Sequence, residues 1–255
     1  MALSQADCVT AVTRHSAGLA AAARGRLDAA RGRLDAEVEH CPGWSVADLV
    51  AHVVGVHWFW ATIVDQRLLE PPSAEERPRR PDDDELVSTF EAGAARLARV
   101  LKEADPRERL WTWAPARQDA GFVIRHQVQE VAVHHWDVAH AVGETVLIGA
   151  DAASDAVDEF LAVSVSSAED PAEPPRPALG GTFGLCCTDS SAQWRVGDGV
   201  EPGTVLASPA AREVEPSVSA SASDLLLWLY GRVDVDIGDV DLALLERFRA
   251  LTFTS

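Results

Sequence analysis

The sequence predicts an α plus α+β protein, with an N-terminal four-helix bundle followed by a smaller C-terminal α+β domain. Three observations carry that expectation. Apolar residues recur at helical spacing in long segments through the first part of the chain. An acidic, proline-rich stretch, SSAEDPAEPPRPALGG, then interrupts the pattern. Beyond it, short alternating stretches separated by Gly, Asp and Ser read as strands before helical texture returns. These features place a helical domain at 1–168 and an α+β domain at 179–255.

Taken in order, an alanine-rich helical pattern runs from Ser4 to about Ala36 and contains a tandem duplication, ARGRLDA at Ala23–Ala29 and again at Ala30–Ala36. Two short copies do not make a solenoid, and Gly25 and Gly32 weaken the helix there. Ser45 offers a cap for a second helix from Val46 to about Leu69. A charged, proline-rich loop, PPSAEERPRRPDDD, leads to a third helix from Asp82 to Lys102, with Leu86, Phe90, Leu97 and Leu101 on related faces. Trp111 and Trp113 precede a fourth helix from about Asp119 to Val142, closed by Gly143. A fifth helix spans Ala152 to about Val165. The stretches GTFGLCCTDSSAQWRVGDG and REVEPSVSAS follow as strand candidates, then SASDLLLWLYGR and DLALLERFRAL as helices.

Composition narrows the function classes. At 255 residues and 47% hydrophobic content, the chain can bury a sizeable core. No early basic run marks an export signal, and no apolar stretch reaches the roughly 18 uncharged residues of a membrane span, so a cytoplasmic protein is expected. A net charge of −18 repels phosphate backbones, which argues against a nucleic-acid partner. Arg77, Arg79 and Arg80 sit among prolines and acids rather than aromatics. The four cysteines lack C-x-x-C spacing and read as reduced, structural thiols. A single lysine, Lys102, among abundant Arg and Ala reflects a high-GC codon bias and suggests an actinobacterial source.

The fourth helix carries the densest polar information, RHQVQEVAVHHWDVAHAVG, with His126, Glu130 and His134 at i, i+4 and i+8. A carboxylate and an imidazole one turn apart can reach one cation. Spacing alone favours a solvent-facing i,i+4 pair of Glu130 and His134. The surrounding Val128, Val131, Val133, Trp136 and Val138 argue for burial, where unpaired polar groups are costly and a metal offsets the cost. His52, in the apolar run DLVAHVVGVHWFW, is the candidate third ligand from a partner helix, while His57 points to a different face. His52 alone also fits a hydrogen-bonded core histidine. Asp137 either orients a ligand or is exposed. Three N/O ligands leave a coordination position open, the arrangement of a catalytic zinc site.

CPGWSVADLVAHVVGVH together with EVAVHHWDVAHAVG resembles the mycothiol-dependent maleylpyruvate isomerase family, a branch of the DinB-like metal-binding bundles. The resemblance spans nearly the whole chain, because SASDLLLWLYGRVDVDIGD is similar to part of the family's sterol-carrier-like C-terminal domain. It implies zinc ligands at His52, Glu130 and His134, and an arginine, Arg232, that reaches the active site from the second domain. It further implies mycothiol as a thiol cosubstrate, held as thiolate by the metal, which adds to a cis double bond, allows rotation and is eliminated. Arg232 would then steady a substrate carboxylate; on spacing alone it fits a surface residue at a helix end.

Other activities fit the same residues. A metal-bound thiolate serves a mycothiol S-transferase acting on an electrophile. A metal-dependent hydrolase would use His126 or Asp137 for proton transfer. A non-catalytic small-molecule binding protein would keep only the cavity. The partners expected throughout are a small-molecule substrate and a low-molecular-weight thiol, with no membrane.

Overall fold

The computed structural model describes residues 2–25, 33–165, 178–200 and 204–252. They form two compact units, Leu3–Leu147 and Ile148–Ser255, the second also taking in the extreme N-terminus.

The first unit is a bundle of four long helices. Helix α1 (Gln5–Arg24) begins at Ser4, whose side chain accepts from the Asp7 backbone N–H, and stops where Gly25 turns to φ 68°. The helical pattern of the sequence runs on to about Ala36, but Gly25 ends the helix sooner. The centre of the ARGRLDA duplication, 26–32, lies outside the described residues. Helix α2 (Val46–Gln66) starts with a capping box, in which Ser45 Oγ accepts from Asp48 N and the Asp48 carboxylate accepts from Ser45 N. Helix α3 (Asp83–Glu103) turns Leu86, Phe90, Leu97 and Leu101 inward, all fully buried. Helix α4 (Ala120–Ala141) is capped by Asp119, which accepts from Phe122 N at 2.8 Å.

The helices pack in the ring α1–α3–α2–α4, so α2 and α4 are neighbours although more than a third of the unit's sequence separates them. Leu49, Val50 and Val53 of α2, Leu86 and Phe90 of α3, and Val138 of α4 share the core. Helix α2 has the length and mean hydropathy of a membrane span, 1.4 over an 18-residue window, but 61% of that window is buried inside the protein. Its apolar surface is used in the bundle core.

The second unit contains α5 (Ala150–Val163), strands β1 (Thr182–Cys187), β2 (Gln193–Asp198), β3 (Val205–Pro209) and β4 (Ser217–Ala220), and helices α6 (Ala222–Leu229) and α7 (Leu242–Ala250). Strand order is β3-β2-β1-β4, with β1 antiparallel to β2 and parallel to β4. Pro209 closes the edge strand β3, where a missing N–H costs no ladder bond. Helix α5 packs on α6 and β3, and its Asp158 accepts from Trp194 Nε1 at 2.9 Å. The sequence division had placed this helix in the first domain, whereas its buried face, Val157 and Phe160 among others, belongs to the second unit. The proline-rich stretch that suggested the boundary falls largely at 166–177, outside the described residues.

Candidate metal centre

The adjacency of α2 and α4 sets the geometry. His52, two turns into α2, meets Glu130 and His134, one turn apart on α4. Glu130 Oε1 lies 3.6 Å from His52 Nε2 and 3.4 Å from His134 Nε2. One ligand atom from each residue lies within 4.8 Å of the others. Glu130 and His134 are buried, and His52 is half-buried on the open side. The Trp44 ring lies against His52, with centroids 5.2 Å apart.

The far nitrogen of His134, Nδ1, sits 3.2 Å from Asp137 Oδ2, and Asp137 is buried. That contact leaves Nε2 facing the cluster, as in a carboxylate–histidine–metal arrangement. Electrostatics agree with the geometry. Burial pushes the Glu130 carboxyl up, but the charge and hydrogen bond of His134, with help from His52, hold it well below the usual carboxylate range. Burial likewise pulls His134 down, and Glu130 and Asp137 together override it, raising the imidazole to about 9. A buried carboxylate thus holds a cation beside it, and a divalent metal with the same donors can take the proton's place. Two imidazoles and one carboxylate form a donor set suited to zinc, with a position left for another ligand.

His52 lines a cleft of about 570 Å³ together with Trp44, Asp48, Gly55, Arg77, Arg79 and Arg80. Arg80 is paired with Asp48 and Asp83. The Arg77 guanidinium lies over Gly55, 3.7 Å from where a Cβ would stand, one turn beyond His52. The sequence alone assigns these arginines no role, because nothing in the loop's spacing shows that it folds back over α2. Another cleft, about 360 Å³ beside Val64, Asp65 and Arg67, lies at the far end of α2.

The remaining polar residues separate. His126 is stacked on Phe122 at 5.2 Å and sits against Trp113, with Gln129 Nε2 3.0 Å from its Nδ1. Trp60 is buried in the same aromatic group. His57 stacks on Phe90, and neither of its ring nitrogens has a hydrogen-bond partner among the described residues. Arg232 belongs to the second unit, where its guanidinium donates to the Tyr230 carbonyl oxygen at 2.8 Å and lies 5.8 Å from the Tyr230 ring.

Comparison with known proteins adds a family. Residues 13–139 match the family model of the mycothiol maleylpyruvate isomerase N-terminal domain. A crystal structure of the mycothiol-dependent maleylpyruvate isomerase is similar at TM-score 0.57 and 17% identity, covering 91% of this chain and 90% of that one. A histidine-to-alanine mutant of the same enzyme is similar at TM-score 0.57 and 16% identity, covering 94% and 95%. At such identities the likeness concerns the fold. A comparison with curated proteins found no match.

Proposed function

Because the chain belongs, through its first unit, to the mycothiol maleylpyruvate isomerase family, we propose that it is a cytoplasmic, zinc- and mycothiol-dependent enzyme that isomerises a cis-alkene carboxylate. The observation that carries this reading is the convergence of Glu130 and His134 with His52, which lines a cleft. These three residues would hold the metal, and a zinc ion there would supply the Lewis acidity that keeps a thiol deprotonated near neutral pH.

The protein's own groups do the rest. Asp137 accepts from His134 Nδ1 and fixes the tautomer that presents Nε2 to the cluster. The Trp44 ring lies against His52 where both line the cleft. Arg77 anchors a substrate carboxylate in the cleft by charge-assisted hydrogen bonds, and Arg232 is assigned to a substrate carboxylate as well. In the reaction the thiolate sulfur adds to the activated double bond and the electron pair moves onto the conjugated carbonyl. Rotation about the resulting single bond and expulsion of the thiolate give the trans product, with mycothiol regenerated.

Elemental analysis followed by mycothiol titration of the same sample tests the proposal. The expected result is zinc bound through His52, Glu130 and His134 and saturable thiol binding that a chelator abolishes. Absence of metal, or thiol binding indifferent to its removal, would contradict it. Net consumption of mycothiol with an electrophile would identify an S-transferase instead.

A further inference from the structure

A second set of ligand-type side chains converges at the C-terminal end of α4. His140, in the last turn, meets Glu39 and His40 from the loop before α2. His140 Nε2 lies 3.0 Å from Glu39 Oε2, and the two imidazole centroids are 5.8 Å apart. One ligand atom from each of the three lies within 4.8 Å of the others.

Neighbouring structure holds these groups in place. Trp136 stacks on His140 at 4.6 Å with 8° between the planes, and its ring is 5.6 Å from His40. The loop is tied by Val38 N to Trp44 O at 2.9 Å, Cys41 N to Val38 O at 3.0 Å and Val46 N to Ala36 O at 2.9 Å.

We infer that Glu39, His40 and His140 form a second, surface site for one borderline transition-metal cation of the zinc, nickel or copper class. Two imidazole nitrogens and one carboxylate oxygen suit that class, whereas magnesium and calcium call for oxygen-rich shells. Water completes the coordination, because Glu39 and His140 are exposed. Trp136 makes occupancy by a paramagnetic ion readable as fluorescence quenching.

The site is independent of the buried one, and equilibrium dialysis of the full chain against zinc chloride separates the two. His140→Ala and His40→Ala are each expected to bind one zinc fewer than the wild type, while His52→Ala keeps the surface equivalent. Copper(II) titration is expected to quench a fluorescence component in the wild type that does not respond in His140→Ala. Both surface residues lie outside the core, so the variants retain the helical circular dichroism. Undiminished zinc binding in both His140→Ala and His40→Ala would overturn the assignment.

Discussion

His134 Nδ1 and Asp137 Oδ2 are 3.2 Å apart inside the bundle, one turn of α4 joining a candidate metal ligand to the carboxylate that orients it. Asp137→Asn keeps the shape but removes the charge and allows the wrong imidazole tautomer. The expected result is zinc affinity reduced about 10- to 100-fold with the helical content unchanged. Competitive titration against a chromophoric chelator measures this, and an affinity equal to the wild type would remove Asp137 from the site.

The cleft arginines separate binding from chemistry. Arg77→Ala is expected to raise KM for a carboxylate substrate about tenfold or more, with the metal retained, since a charge-assisted hydrogen bond is worth about 1.5–3 kcal/mol. Arg232→Ala is expected to retain the metal and lower kcat/KM. Steady-state kinetics unchanged in either variant would exclude that arginine from the mechanism.

Two buried imidazoles make the bundle acid-sensitive. Burial pushes His57 from 6.5 down to about 4, and burial with the charges of His135 and Arg14 does the same to His15. Their folded values lie below the unfolded one, so the unfolded chain binds more protons between pH 6.5 and about 4. Stability is therefore full above that window and falls as the pH drops through it, by on the order of 3 kcal/mol per imidazole. His57→Phe is expected to give a shallower acid limb in urea denaturation measured across that range. A limb parallel to the wild type would contradict the assignment.

In the second unit, Gly184 of β1 packs so closely that a Cβ there would stand 2.5 Å from the Val214 carbonyl oxygen. Because the obstacle is backbone, Gly184→Ala is expected to destabilise this unit by about 1–3 kcal/mol. Thermal unfolding followed through Trp194 checks it, and an unchanged midpoint would mean that the approach is looser than described.

Much of the fold was legible because local signals agreed with it. Ser45, Asp119 and Gly143 marked helix ends that the structure places within a residue or two. Periodicity established that a helix follows Leu147, but not which core it joins, since an apolar stripe does not name its partner. Strand β3 was not singled out, being short and ending in proline. In the candidate site, spacing put Glu130 and His134 one turn apart, and their apolar neighbours together with the family resemblance, rather than the spacing, singled them out. His126 was not separable from them on paper, yet a helix advancing about 100° per residue turns it roughly 80° away from His134, into the aromatic group. The Arg77 loop and the Glu39–His40–His140 cluster depend on contacts between distant segments, which spacing cannot supply.

The most direct test of the account is isomerisation of maleylpyruvate by the zinc-loaded full chain, assayed with and without mycothiol and repeated with His134→Ala. The account predicts turnover only when thiol and metal are both present, and its loss in His134→Ala. Turnover without mycothiol, or full activity in His134→Ala, would contradict it.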